Sequence, residues 1–214
     1  MATELDHLVV GASSLEQGIA YVESQLGVQV PRGGRHEAML THNAVMSLGP
    51  NNVYFEILAI EPGAPAADAP RWFGMDDPAL ASRLAERPRL IAWVARTDEL
   101  AMRLAAAGGR FGQPADFRRD SLSWKFGLHP TGLNEGAPAT PVLIEWPANV
   151  HPAPGLADLG VRLEEIILHH PDPAWLRSEL NALDFDDAVT IEAGPAPALS
   201  ARFKRPDGST ILMD

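Results

Sequence analysis

Apolar residues recur along this chain with two alternating periods. Leu5–Gly11 and Val53–Ile60 are short apolar runs of strand length, and each carries polar residues inside it: Asp6 and His7 in the first, Glu56 in the second. Between them, Leu15, Ile19, Val22 and Leu26 recur at helical spacing after Ser13-Ser14, which suit a helix N-cap, and Gly27 ends the pattern. Pro31–Arg35 reads as a loop. Glu37–Leu40 and Ala44–Leu48 read as a hairpin around Thr41-His42-Asn43, and Gly49–Asn52 as a turn. The predicted order is strand, helix, strand, strand, strand.

That order recurs twice. After a Pro/Ala linker (Glu61–Pro70) and a short helix over Pro78–Glu86, strands are predicted at Leu90–Ala95, near Phe117–Arg119, at Leu122–Leu128 and at Pro141–Trp146. A helix over Asp98–Ala107 follows the first of these. After a second linker around Ala148–Pro154, strands are predicted at Val161–Leu168, Val189–Ala193, Leu199–Lys204 and Ser209–Met213, with a helix over Asp172–Leu183. The chain therefore divides into a first βαβββ unit (1–62), a linker with a short helix (63–87), a second unit (88–150) and a third (151–214). The class is α+β, with cupped mixed sheets whose faces need one another for cover.

The net charge of −11 and a pI near 5.0 argue against nucleic acid and anionic membranes as partners. There is no cysteine, hence no disulfide, thiolate metal site or cysteine nucleophile. No apolar run approaches the roughly 20 residues of a spanning helix, and a strand begins within a few residues of the N-terminus. These features predict a cytoplasmic protein. Phosphate-loop, dinucleotide and nucleophile-elbow motifs are missing from the sequence.

Burying a lone imidazole or carboxylate in a sheet is costly without a partner, so His7 and Glu56 together suggest a built site. Asp6–Val10 with Leu15, and Tyr54–Leu58, resemble the first and fourth strands of the vicinal oxygen chelate superfamily. Gly33-Gly34-Arg35-His36, Thr41-His42-Asn43 and the segments around Trp93, Trp124 and Trp146 resemble its glyoxalase-like domain proteins. The resemblance implies a metal site shared by two units, and carries over as His7, Glu56 and Glu145. Near position 89 or 90, where a fourth ligand is expected, stand Arg89 and Leu90. One imidazole and two carboxylates would suit a divalent metal (Zn, Mn, Fe or Ni), with Glu56 or Glu145 as general base. Arg35, His36, His42, Trp93 and Trp124 are the expected ligand-binding residues. The implied activity is that of a metal-assisted lyase, isomerase or dioxygenase on a small oxygenated molecule. The alternatives are a metal-free small-ligand-binding module and a dimerising protein with a vestigial pocket. Three units leave one without an internal partner, which is compatible with a homodimer.

Overall fold

A computed structural model describes residues 2–67, 69–185 and 187–214. The first unit runs β1 (Glu4–Gly11), α1 (Leu15–Leu26), β2 (Arg32–His36), β3 (Thr41–Ser47) and β4 (Tyr54–Ile60). The linker carries a 3₁₀ turn at Trp72–Gly74 and then α2 (Pro78–Glu86). The second unit runs β5 (Arg89–Arg96), α3 (Leu100–Ala106), β6 (Gln113–Arg119), β7 (Leu122–Leu128) and β8 (Val142–Glu145). The third runs β9 (Arg162–His170), α4 (Pro173–Ala182), β10 (Thr190–Ala193), β11 (Ala198–Lys204) and β12 (Thr210–Met213). The helices begin where their caps dictate: the side chains of Ser14, Asp77 and Asp172 accept backbone N–H groups at the starts of α1, α2 and α4.

The first two units share one eight-stranded sheet, ordered β2-β3-β4-β1-β5-β8-β7-β6. In each unit the fourth strand lies parallel beside the first, and β1 and β5 meet antiparallel at the centre. The sheet curls into a half-barrel, bringing its two outer strands, β2 and β6, into contact. Its inner face carries Val9, Leu58, Val94, Phe117, Trp124, Phe126 and Ile144. Its outer face packs on α1, α3, α4 and the second sheet through Leu15, Trp93, Leu104, Leu176 and Phe203.

Two expectations change. The hairpin turn falls at Glu37–Leu40, where Leu40 adopts φ 50° and Met39 N–H bonds to the His36 carbonyl. Thr41-His42-Asn43 therefore lies within β3, and part of the expected loop 31–35 forms β2. The third unit keeps the element order but not the strand order. Its sheet runs β10-β9-β11-β12, with β10 parallel beside β9 and β11 antiparallel on the other side. The chain returns from α4 directly beside β9, rather than to the far edge as it does after α1.

The third unit is fastened by fully buried Phe203, whose ring meets Phe55 of β4 edge-on at 5.4 Å. Phe203→Ala removes that bridge between the sheets and should lower stability by about 3–5 kcal/mol. The check is the urea midpoint of the full-length protein.

Candidate functional site

The half-barrel encloses a cavity lined by His7, His36, Asn43, Tyr54, Glu56 and Arg119 among apolar walls that include Trp72, Phe73, Trp124, Phe126, Ile144 and Trp146. The space open to the centre of a water molecule is about 50 Å³, room for roughly three to five waters at ~10–15 Å³ each. Few polar groups in a mostly apolar hollow is the usual make-up of a small-molecule site.

The floor begins with an irregularity in β1. Strand alternation would send Asp6 and His7 to opposite faces. The pairing with β5 slips here, from Leu5 opposite Ala95 to His7 opposite Val94, leaving Asp6 as the extra residue of a bulge. The bulge brings the Asp6 carboxylate to 2.6 Å from His7 Nδ1. Its other oxygen accepts Nε1–H of Trp146 at 3.0 Å and Nε2–H of His151 at 2.9 Å. Asp6 is completely buried. Burial pushes its pKa up, but the hydrogen bonds from His151 and His7 outweigh this and hold the carboxyl far below its ordinary range. Asp6 is therefore an anion that fixes the His7 tautomer, with Nδ1–H toward Asp6 and Nε2 left with its lone pair.

His7 Nε2 lies 3.6 Å from Glu56 Oε2. The other Glu56 oxygen accepts Nδ2–H of Asn43 at 2.6 Å, and Asn43 Oδ1 accepts the Gly34 N–H at 2.8 Å. Tyr54 stacks on the His7 ring with centroids 4.3 Å apart. Burial, then the charges of Asp6 and Glu56, raise its pKa well above the ordinary value, so it remains a phenol.

The opposite wall joins the two edges of the sheet. His36 Nδ1 lies 3.0 Å from Thr41 Oγ1, and Arg119 Nη1 lies 3.2 Å from His36 Nε2. Burial, aided by Arg119 and His7, lowers the His36 pKa to about 4, against the opposing charge of Glu56. At neutral pH the ring is uncharged, donating from Nδ1 to Thr41 and accepting from Arg119 at Nε2. The linker supplies the roof. Arg71 is buried and donates from Nε to the Met39 carbonyl (2.7 Å), from Nη2 to the Pro65 carbonyl (3.0 Å) and from Nη1 to Asp76, holding Trp72 and Phe73 over the cavity.

Of the residues expected from sequence, His7, Glu56, His36 and Trp124 share the cavity. Four others do not, and strand geometry explains each. Ile144 faces the cavity, so its neighbour Glu145 faces away; its carboxylate accepts Leu100 N–H at the start of α3 (3.0 Å) and pairs with Lys125 (3.2 Å). Arg35 alternates with His36 and grips Glu61 outside, at 2.7 and 2.5 Å. His42 alternates with Asn43 and sits on the other side of β3. Trp93 lies in the outer core, where Nε1–H reaches the Ala139 carbonyl at 3.1 Å.

The fourth-ligand position also moves. His7 pairs with Val94 and Val9 with Ala92, so the approximate twofold axis between β1 and β5 exchanges His7 with Ala92 and Val9 with Val94. Val9 pairs with Glu56 and Val94 with Val142, so Glu56 corresponds to Val142. The counterpart of His7 is thus Ala92 rather than a residue at 89 or 90, and both counterparts are apolar. His7 and Glu56 could each hold a metal, but two donors facing an alanine and a valine do not fit a centre of three or four protein ligands. Among the described residues, no group of three or more His, Asp or Glu is arranged to hold a metal ion.

Asp6, Asn43, Tyr54, Trp72, Arg119, Trp146 and His151 complete the site without having been singled out as site residues from sequence. The adjacent acid and imidazole in an apolar run, and the glycine pair before His36, were the available signals.

His36 has a folded-state pKa near 4 against an ordinary 6.5. As pH falls through this window the unfolded chain takes up a proton that the folded one refuses. The stability is fully present above 6.5, and about 2–3 kcal/mol is lost on approaching pH 4. His36→Gln should flatten that slope, as read from urea midpoints between pH 7 and 4.5. The acid loss due to Asp6 falls lower, below its ordinary value of 3.8. An unchanged slope in the variant would show that His36 is not the source.

No curated protein sequence matches this chain significantly. Among solved structures, a hypothetical protein from Staphylococcus aureus superposes with a TM-score of 0.64 at 13% identity, covering 92% of this chain and 88% of that one. A triple mutant of 4-hydroxymandelate synthase from Streptomyces coelicolor gives 0.53 at 11% identity, covering 100% of this chain and 63% of that one. Methylmalonyl-CoA epimerase from Streptomyces coelicolor, in complex with 2-nitronate-propionyl-CoA, gives 0.43 at 17% identity over 71% of this chain and 99% of that one. At these identities the likeness concerns the fold. No helix among the described residues is long and apolar enough to cross a membrane. The family model described as "Glyoxalase-like domain" matches residues 5–183, and the chain belongs to that family.

Proposed function

We propose that the cavity is the active site of an enzyme that moves a proton at a carbon beside a carbonyl, as an isomerase or lyase of small oxygenated compounds, with His7 as general base. The observation that carries this reading is the line Asp6–His7–Glu56, which ends in a mostly apolar hollow. A proton taken from carbon settles on His7 Nε2. The resulting imidazolium lies between two carboxylates, Asp6 at 2.6 Å and Glu56 at 3.6 Å, and is stabilised by both. Asn43 keeps the Glu56 carboxylate aimed at the ring. The proton then returns to the same or a neighbouring carbon. The apolar walls of Trp72, Phe73 and Trp124 lower the local dielectric, which strengthens the charge interactions beside them.

No step runs through a metal, because the twofold counterparts of His7 and Glu56 are Ala92 and Val142. Dioxygenase chemistry loses support on the same ground. A binding module without chemistry would account for the aromatic lining but leaves Asp6–His7–Glu56 without a purpose.

The test is exchange of carbon-bound hydrogen for deuterium, followed by NMR, in a panel of small 2-hydroxy, 2-oxo and 3-oxo compounds in D₂O. The wild-type protein should exchange at least one of them at the same rate with and without a chelator. His7→Gln and Glu56→Gln should each lower the rate about 100-fold or more. Asp6→Asn should lower kcat more than it changes KM, because it disturbs the base rather than the ligand. Exchange that a chelator abolishes would return the metal to the mechanism, and wild-type rates in His7→Gln would remove His7 from it.

A further inference from the structure

Among the described residues, Arg119 is the one cation on the cavity wall whose charge no carboxylate answers. Among the described residues no carboxylate lies within ion-pair distance of it, whereas Arg71, Arg96, Arg110 and Arg162 each meet one. Its hydrogen bond there goes to His36 Nε2, a neutral acceptor that occupies one N–H and cancels no charge. A half-buried guanidinium in an aromatic pocket, using so few of its five donors, is a costly arrangement unless something else completes it.

The sequence builds a bed for it. Arg119 leaves β6 at one edge of the sheet and lies across β2 at the other edge, directly over Gly34. A Cβ at Gly34 would come within 3.0 Å of Arg119 Cδ and 3.1 Å of Nε. The φ of Gly34 is not in the left-handed region, so what the glycine provides there is space rather than an unusual backbone. Its neighbour Gly33 serves the other wall in the same way: a Cβ there would come 2.2 Å from Asn43 Oδ1. The pair of glycines thus admits both the cation and the amide that aims Glu56.

We propose that Arg119 recognises a carboxylate, so that the cavity takes a small monoanionic carboxylic acid with a compact apolar body. The proposal rests on the reading of this cavity as the working site. A guanidinium presents parallel N–H groups that match the two oxygens of a carboxylate. The anionic Asp6 and the Glu56 carboxylate at the opposite end oppose a second negative charge, and so orient the ligand with its carboxylate at Arg119 and its carbon body toward His7. Trp72, Phe73, Trp124 and Phe126 suit an alkyl body, and the volume limits it to a few carbons. A phosphate, larger and carrying more charge, fits less well.

The experiment titrates full-length protein with isobutyrate, isobutyramide and methyl phosphate, read by tryptophan fluorescence and by ligand NMR line-broadening. Isobutyrate should saturate in the millimolar range, with isobutyramide and methyl phosphate at least about tenfold weaker. Arg119→Gln should erase the preference for isobutyrate over isobutyramide in protein that circular dichroism shows to be folded at the titration temperature, and Arg119→Lys should restore part of it. Equal binding of acid and amide, tighter methyl phosphate, no saturable isobutyrate binding, or an unchanged preference in Arg119→Gln overturns the proposal. Glu56→Gln, which should lose proton exchange, keeps the preference. A carboxylate preference without any exchange in the wild type therefore sinks the proton-transfer reading alone. Exchange confined to neutral carbonyl compounds sinks this proposal alone.

Discussion

A carboxylate ion buried in the middle of a β-sheet is the constraint around which the rest of this molecule is arranged. Removing an ion from water costs several kcal/mol unless partners replace the lost hydration. Asp6 is completely buried and finds three donors: its chain neighbour His7, Trp146 just beyond β8, and His151 in the segment that leads to the third unit. Those donors come from the first unit, the end of the second and the connection to the next. The bulge in β1 is the backbone's answer to the same demand, since an unbroken strand would separate Asp6 from His7. The ion thereby sets the register of the central β1–β5 pairing and the path of the 147–161 segment. It also sets the tautomer of the imidazole that faces the cavity.

Much of the fold was legible because it depends on period and on caps. The runs at Leu5–Gly11, Leu90–Ala95 and Leu122–Leu128, and the helix spacing from Leu15 to Leu26, lie within a residue or two of the observed elements. The site was less legible, because it depends on which face a residue takes. With a period of two, an error of one residue moves a side chain through the sheet. Arg35 stands beside His36, His42 beside Asn43 and Glu145 beside Ile144; in each pair the residue with more obvious chemistry points away from the cavity. Asparagine is a residue type that turns favour, yet Asn43 lies within β3 and the turn is at Glu37–Leu40. Arg119 and His151 carry no local pattern. They reach the site only because the sheet curls until β2 meets β6 and because a linker folds back, and both are long-range events.

The two halves of the half-barrel share a strand layout but differ in chemistry. At equivalent positions the first unit places His7 and Glu56 and the second places Ala92 and Val142. The second unit instead contributes the wall: Arg119, Trp124 and Phe126. A symmetric cup with donors on both sides can surround an ion. An asymmetric one, with proton-holding groups on one side and a cation among aromatic rings on the other, can orient a polar molecule along its length. The register of β1, β4, β5 and β8 decides which of the two this chain has.

The segment Arg32–His36 shows how little sequence is needed to commit a site of this kind. His36 can be a neutral acceptor only because burial keeps it unprotonated, and burial there requires that Trp72 and Trp124 pack on its ring, at centroid distances of 5.0 and 6.3 Å. The linker residue Arg71 helps hold Trp72 in place through its bonds to Met39, Pro65 and Asp76. A charged His36 would repel Arg119 across 3.2 Å, and the two edges of the sheet would lose their shared hydrogen bond. The electrostatics of the cavity and the closure of the half-barrel therefore rest on one imidazole, kept neutral by aromatic neighbours from the linker and from the opposite unit, with the bare backbone of Gly33 and Gly34 giving the side chains on either side of it room to meet.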